Sequence, residues 1–510
     1  MIGKREYGDY QTPIEFAKNI CSYLKNNLHI NPSAIIEPTC GIGSLLKSSL
    51  IFDAKEYYGI EINPSYCEIC KESIIDDKVN IINANFFDFS FKGLVKDDRQ
   101  ILIIGNPPWV MNSFLSGINS ENLPLKENLK KLKGLDAVTG SSNFDICEYI
   151  ILKLINEYKN KNTSIAMICK ISVARNVFEY LKRNEIHFSF FNILEFDSKK
   201  IFNINSNACV MVVNLVHKKE LSVSSDICKV YDFYEPDTVK SYFGYLNGKL
   251  YSNLTVESED FDGQCCFDWR QGVKHDCSKI MELVYQDNKL KNGLGESVDI
   301  EKDIVFPLVK SSNFKYPIIN EFSKFVIVTQ KRVRENTDYI QHNYPKAWNY
   351  LNNNIEFFNK RKSSIYVNSP LFSMFGIGDY SYSEYKVGIS GFYKKPLFSL
   401  LYSHEKPVMV DDTSYFICFD EYCNAYVAML LLNSSKVNKF LASIAFLDSK
   451  RPYTKKLLSR IDFNKIIKNI TIDELINTEE SLKLEKTVNL SMYEKFKLHI
   501  KNINQTIKTQ

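Results

Sequence analysis

The sequence predicts an α/β protein, with a mostly parallel sheet and helices on both faces in its first half and a mixed α+β region in its second. Three observations predict it. Short β-branched runs alternate with longer amphipathic stretches up to about residue 240, the pattern of βαβ units. The runs are nearly uninterrupted Ile and Val, as strands covered on both faces require. Beyond about residue 240 the alternation fades into tyrosine- and phenylalanine-rich sequence with irregular segments such as Tyr366–Pro370 and Phe375–Ser381.

The expected strands are Ala34–Ile36, Tyr57–Ile60, Asn80–Ile82, Ile101–Ile104, Ser164–Ile168 and Cys209–Leu215. The expected helices include Pro13–Leu28, Pro64–Ile75, Phe144–Tyr158 and Val177–Asn184, each with apolar residues on one face. The turn-rich FGYLNGKLYSN places a boundary near 240–255, so the expected domains are 1–245 and 246–510. From about Leu482 a helical period rich in lysine predicts a terminal helix.

Composition narrows the classes. Of 510 residues 45% are apolar and 24% charged, which excludes disordered, collagenous and coiled-coil chains. The net charge of +4 is too small to establish a polyanion partner by itself. Thirteen cysteines without regular spacing do not form a disulfide framework. The start MIGKREYGDYQTP carries no apolar core of a signal peptide, and apolar stretches such as Ala208–Val216 fall short of the roughly 20 residues that span a bilayer. A cytoplasmic protein without a membrane partner is the expectation. Charge is uneven, however. Residues 310–362 hold ten Lys and Arg against four acids, interleaved with Phe314, Tyr316, Phe325, Tyr339, Tyr344, Trp348 and Tyr350, which suits a surface that tracks a nucleic-acid backbone.

The strongest local signal is Asn106-Pro107-Pro108-Trp109, directly after the apolar ILIIG. The prolines end the strand because neither can donate to a ladder. The Asn106 side chain and the Pro107 carbonyl are thereby left at the carboxyl end of a parallel strand, where open α/β sheets place ligands. Two acceptors side by side can receive both protons of one amino group, and Trp109 can stack a ring beside them. An exocyclic amine held so loses conjugation with its ring, and its lone pair becomes a nucleophile. A plain strand-ending turn is the competing reading. Earlier in the chain, Glu37-Pro38-Thr39-Cys40-Gly41-Ile42-Gly43 follows the strand at Ala34–Ile36. Gly41 and Gly43 permit a tight turn and close approach of backbone to ligand, with a helix beginning near Ser44. The next strand ends in Glu61, placed to accept both ribose hydroxyls of a nucleoside-like cofactor. The third leads to Asn85 and Phe86, an edge contact and a ring face for an adenine, with Asp88 the competing edge contact.

In that order, Glu37–Gly43, Glu61, Asn85–Phe86 and Asn106–Trp109 resemble the S-adenosylmethionine and catalytic motifs of amino-methyltransferases. A tetrapeptide beginning with Asn resembles the N6-adenine type. Cofactor motif first, catalytic motif second and a long region after both resemble the gamma (TaqI-like) class of DNA adenine methyltransferases of restriction–modification systems. Asp9-Tyr10-Gln11-Thr12-Pro13 looks like that class's cofactor-capping segment, with Thr12 near the methionine carboxylate. The family usually has Asp where Asn85 stands. Arg270–Asp276, Pro307–Asn313 and Lys450–Pro452 are similar to segments of the same enzymes.

The resemblance implies a Rossmann-like class I methyltransferase domain followed by a target-recognition domain. It also implies S-adenosylmethionine as cofactor, double-stranded DNA as partner, a separate cognate endonuclease, and a monomer that flips its target adenine out of the duplex. The implied cofactor residues are Thr12, Glu37, Thr39, Cys40, Gly41, Gly43, Glu61, Asn85, Phe86 and Asn106. Asn106, Pro107, Pro108 and Trp109 carry the reaction, and Phe202, before Asn205–Ala208, closes the other face of the base. The expected DNA contacts are Arg270, Lys274, Lys331, Arg332, Arg334, Lys360, Arg361, Lys362 and Arg451, with His275 beside Lys274. No metal is expected, since Cys67 and Cys70 have no second pair nearby. RNA-adenine or protein-glutamine methylation, or DNA binding without catalysis, are the competing functions.

Overall fold

The computed structural model describes residues 10–95, 100–110, 145–217, 226–254 and 260–509. The chain divides into two compact units, Met1–Leu254 and Thr255–Gln510.

The first unit is built on a ten-stranded sheet. Its strands are β1 (Ala34–Glu37), β2 (Glu56–Glu61), β3 (Val79–Asn83), β4 (Ile101–Gly105), β5 (Thr163–Lys170), β6 (Phe188–Asp197), β7 (Asn207–Leu215), β8 (Ile227–Asp232), β9 (Val239–Leu246) and β10 (Lys249–Tyr251). They lie in the order β10-β9-β8-β6-β7-β5-β4-β1-β2-β3. From β3 to β5 every pairing is parallel, and β7 then runs antiparallel between β5 and β6. The order reverses between β1 and β4, which opens a crevice at the carboxyl ends of the strands. Those ends carry Glu37, Glu61, Asn83 and, one residue past β4, Asn106. Strands β1 and β4 are buried at every position, which is why their sequences are runs of Ile and Leu rather than alternations.

Helices α1 (Ile14–Asn26), α2 (Ser44–Ser48), α3 (Pro64–Ser73), α4 (Ile146–Tyr158), α5 (Ile171–Arg183) and α6 (Ser198–Phe202) accompany the sheet. One core packs Phe16, Ile20 and Leu24 of α1 and Leu45 and Leu46 of α2 onto Ile35, Leu102 and Ile104 of the sheet.

Several expectations need correction. Helix α5 begins at Ile171, not Val177, because β5 runs into it with Lys170 as the only junction residue. Strands β6 and β8–β10 escaped the sequence reading. In β8 buried and exposed residues alternate at first, and in β6 buried residues are interspersed with half-buried ones, so neither forms an uninterrupted Ile/Val run. The expected helix at Phe144–Tyr158 starts at Ile146, and Phe144, like Asp9, lies outside the described residues.

The second unit is mixed α+β, with two five-stranded sheets. One holds β11 (Arg270–Gln271), β20 (Ser414–Phe419), β17 (Tyr385–Ser390), β18 (Phe398–Leu401) and β15 (Ile318–Ile319). The other holds β13 (Lys289–Lys291), β12 (Glu282–Gln286), β16 (Lys324–Ile327), β14 (Val305–Val309) and β19 (Met409–Val410). Helix α7 (Tyr422–Asn433) is buried along nearly its whole length, and the terminal helix α8 runs Leu490–Thr509, later than the expected start at Leu482. Among the described residues no helix is long and apolar enough to cross a membrane.

Candidate active site

Four strand ends and the segment before α1 enclose a cavity of about 550 Å³. Of the residues expected to bind the cofactor, Thr12, Glu37, Thr39, Cys40, Gly41, Glu61, Asn85, Phe86 and Asn106 line it. Gly43 does not reach the cavity, and its role is to turn the chain. Its φ of +81° and the 2.4 Å between a built Cβ and Cys70 Sγ leave no room for a side chain. Gly41 is held the same way: its φ is +52°, and a Cβ there would lie 2.5 Å from Gln11 Oε1.

Glu61 closes the glycine turn. Its Oε2 accepts the Gly41 N–H at 2.8 Å, and its Oε1 accepts the Asn63 N–H at 2.8 Å. The side chain thus sits fixed between the phosphate-type turn and the start of α3. Glu37 is buried, with Oε2 accepting the Leu46 N–H at 2.8 Å. Burial pushes its carboxyl well above the usual carboxylate range, and the nearby Glu61 charge adds to the rise. The Thr39 hydroxyl is buried and has no hydrogen-bond partner among the described residues. A cavity wall with an uncompensated carboxyl and an orphaned hydroxyl is a wall shaped for a polar ligand.

A raised folded-state value means that the penalty for ionising Glu37 is absent below the unfolded value near 4.5. It grows as pH climbs from there and is complete only above the raised folded value. Glu37→Gln keeps an acceptor for Leu46 and removes the charge. It is expected to raise the midpoint of thermal unfolding at pH 8, by about 2–4 °C per kcal/mol recovered, with the gain vanishing toward pH 4.5. Unfolding scans across that range check it; an equal gain at both ends would mean that charge is not the cause.

At the adenine-type end, Asn85 lines the cavity and Asp88 is exposed and does not. Asn85 Oδ1 accepts the Phe87 N–H at 3.0 Å. Lys153 clamps this loop, with Nζ donating to the carbonyls of Phe86, Phe87 and Phe89 at 3.1, 3.0 and 3.4 Å. Lining residues outside the expected set include Gln11, Ile62, Tyr66 and Phe87. Gln11 had a signal, its place beside Thr12, and its Oε1 accepts the Ile42 N–H at 3.2 Å. The other three are ordinary apolar or aromatic residues whose position shows only in three dimensions.

Asn106 stands where the cavity meets the tip of β4. Its Nδ2 donates to the Tyr10 carbonyl at 2.8 Å and to Thr12 Oγ1 at 3.2 Å. Both amide protons are therefore committed, and Oδ1 has no partner among the described residues. The buried Pro107 likewise has no donor on its carbonyl among the described residues. Pro108 lines the cavity, whereas Pro107 and Trp109 stand outside its lining. Trp109 is fixed by an indole N–H on the Ile168 carbonyl at 3.3 Å. Its ring meets Phe202 edge-on, 5.7 Å between centroids at 67°. Two rings around a base must stand about 7 Å apart, twice a carbon–carbon contact of about 3.5 Å. The expectation that Phe202 covers the base's second face is therefore corrected: it supports Trp109 directly.

In the second unit the basic–aromatic stretch separates into two parts. Phe325, Tyr339, Tyr344, Trp348 and Tyr350 pack on the core of Val326, Ile340, Ala347 and Leu351, and Phe314 is fully buried. Only Tyr316 of the series is an exposed ring, so the expected interleaved surface is corrected to a core face carrying cations around it. Arg361 is also corrected. It is half-buried over the Tyr366 ring at 3.8 Å and donates to the Ser373 carbonyl at 2.8 Å, a tie within the unit. The remaining cations are at the surface with assorted partners. Arg270 pairs with Asp268 and lies over Tyr380, Lys274 pairs with Asp276 at 2.7 Å, and Lys360 reaches Glu356 at 3.3 Å. Arg451 lies over Phe392 and reaches the Asp412 carbonyl. His275 is buried, and burial pushes its pKa down, so it supplies no cation. Lys331, Arg334 and Lys362 are exposed.

No family model matches the chain. It is 39% identical over 478 residues to the type II methyltransferase M.NspV of Nostoc sp., which takes in 92% of this chain and 98% of that protein. A local likeness, 29% identity over 101 residues, is to ribosomal RNA small subunit methyltransferase A of Sulfurihydrogenibium sp., covering 19% of this chain and 39% of that one. Among solved structures, the type IIL restriction–modification enzyme MmeI in complex with DNA matches with a TM-score of 0.52 at 13% identity, over 96% of this chain and 77% of that one. At that identity the likeness is one of fold.

Proposed function

The chain belongs to the type II methyltransferases, and on that premise we propose that it methylates the exocyclic N6 amino group of an adenine in a specific DNA sequence, as the modification enzyme of a restriction–modification system. S-adenosylmethionine is its cofactor. The cavity fits that molecule: its volume is within the range of small-molecule sites, Gly41 and Gly43 keep the turn free of side chains, and Thr39 offers an orphaned hydroxyl. Glu61 would hold the ribose hydroxyls and Asn85 the adenine edge, with Phe86 and Ile62 on the ring. Glu37 would face the ammonium of the methionine moiety, the counter-charge it lacks inside the unit. When bound, the cofactor supplies an electrophilic methyl on a sulfonium.

The chain's own part is orientation. Tyr10 and Thr12 hold both amide protons of Asn106, so the oxygen is the atom left to accept a hydrogen from the target amine. That one observation carries the reading. The Pro107 carbonyl accepts the second hydrogen, and the nitrogen lone pair turns out of the ring plane toward the cofactor side of the cavity. Nitrogen, methyl and sulfur need alignment more than they need a base, because the amine becomes acidic once methylated. In a duplex the adenine must leave the stack at a few kcal/mol, and stacking on Trp109, worth about 1–3 kcal/mol, offsets much of that. The second unit supplies target recognition through its exposed cations.

The test is direct. The protein is incubated with labelled S-adenosylmethionine and separate pools of DNA, RNA and protein, and the modified atom is mapped. Label on N6 of adenine in one DNA sequence is expected. Label confined to RNA, to protein glutamine or to cytosine overturns the proposal.

A further inference from the structure

The loop Lys331–Glu335 is the most tightly organised exposed basic segment of the second unit. It is anchored at both ends by buried polar residues: Thr329, Gln330 and Thr337 are all inaccessible to solvent. Thr329 Oγ1 donates to the Phe372 carbonyl at 2.7 Å, Thr337 Oγ1 donates to the Leu371 carbonyl, and Gln330 Oε1 accepts the Met374 N–H at 2.7 Å. Gln330 Nε2 also donates to the Glu335 carbonyl, tying one end of the loop to the other. Inside it, Glu335 Oε2 accepts the N–H groups of Lys331 and Arg332 at 2.6 and 3.1 Å. Arg332 is committed to Asp379 through two guanidinium nitrogens at 3.0–3.3 Å, which braces the loop from outside.

At the tip stands Arg334, exposed, with φ +67°. A residue other than glycine rarely adopts that conformation. Among the described residues no carboxylate or carbonyl partners this side chain. By contrast, Arg270, Arg332, Arg361 and Arg451 each lie against a ring or an acceptor of the unit.

Resting on the DNA reading proposed above, we infer that Arg334 is a base-reading residue, whose guanidinium takes the edge of a guanine in the major groove of the recognition sequence. A phosphate contact needs charge alone and tolerates a floppy cation. A base edge needs a fork of two donors in fixed orientation, which arginine presents to the O6 and N7 of guanine. A pinned, braced loop fixes the point from which Arg334 leaves the backbone, and its guanidinium, not spent on a partner among the described residues, is available for a base edge. Lys331, beside it and on a flexible stem, contacts phosphate.

Wild type and the variants Arg334→Ala, Arg334→Asn, Arg334→Lys and Lys331→Ala are incubated with a pool of duplexes of randomised sequence, and the neighbours of each methylated base are read by sequencing. The Asn variant tolerates left-handed backbone, so its behaviour separates the lost side chain from loop strain. Loss of discrimination at one G·C pair, about 5–150-fold from the 1–3 kcal/mol of a bidentate contact, is expected in the Ala and Asn variants. The Lys variant restores only part of it, and Lys331→Ala lowers methylation of all sequences alike. A preference unchanged at every position in Arg334→Ala, with a uniform loss and a salt slope reduced by about one, makes Arg334 a phosphate contact and overturns the inference. Absence of duplex methylation by the wild type overturns the DNA reading itself.

Discussion

Replacing Asn106 by alanine is expected to lower the rate of methyl transfer by about 10²–10³-fold, the range seen when one preorganised polar contact to the reacting group is removed. Cofactor affinity should fall only a few-fold, because the other polar lining of the cavity is untouched. Single-turnover transfer of labelled methyl gives the first quantity and calorimetric titration with cofactor the second. An equal collapse of both would reduce Asn106 to a prop for the segment before α1. Thr12→Val separates the two roles. It removes one of the acceptors that orient the Asn106 amide while leaving the oxygen in place. Its expected result is a rate loss smaller than that of Asn106→Ala and larger than any loss of cofactor affinity, since Thr12 also lines the cavity.

Glu61→Ala is expected to weaken S-adenosylmethionine binding by about 10²–10⁴-fold, from two charge-assisted hydrogen bonds at roughly 1.5–3 kcal/mol each. The rate constant at saturating cofactor should change far less, since Glu61 stands at the end of β2, away from the strand that carries Asn106. Part of the loss belongs to the loop, because the same carboxylate receives Gly41 and Asn63. Glu61→Gln keeps one acceptor oxygen, and an affinity between those of Ala and wild type is expected. If Glu61→Ala binds cofactor normally, the ribose is held elsewhere.

The cofactor half was legible because physical demand and sequence pattern coincide there. Strands buried on both faces must be apolar, the turn at Gly41 and Gly43 combines positive φ with no room for a side chain, and the residues at the ends of β1, β2 and β4 are polar amid apolar neighbours. Ile62 and Tyr66 were not legible, since nothing in their chemistry distinguishes them until the fold brings them to the cavity. Strands β6 and β8 were lost because half-exposed strands do not form the continuous apolar runs that marked the central ones. The second half was misread in a different way. Tyr339, Tyr344 and Trp348 pack against the core, yet the same residues beside lysines and arginines read as a surface. Arg361 shows the same limit: a charged residue in a basic run was counted as exposed, although a tyrosine face and a carbonyl take up its guanidinium.

The segment Tyr10–Thr12 touches two things at once: Gln11 lies on the glycine turn that would receive the cofactor, and its neighbours hold the amide of Asn106. Occupying the donor pocket is therefore expected to stiffen the same three residues that hold the Asn106 amide. Cooperativity follows without any moving domain: the donor should tighten the hold on the target amine, and by reciprocity the target should slow the donor's escape.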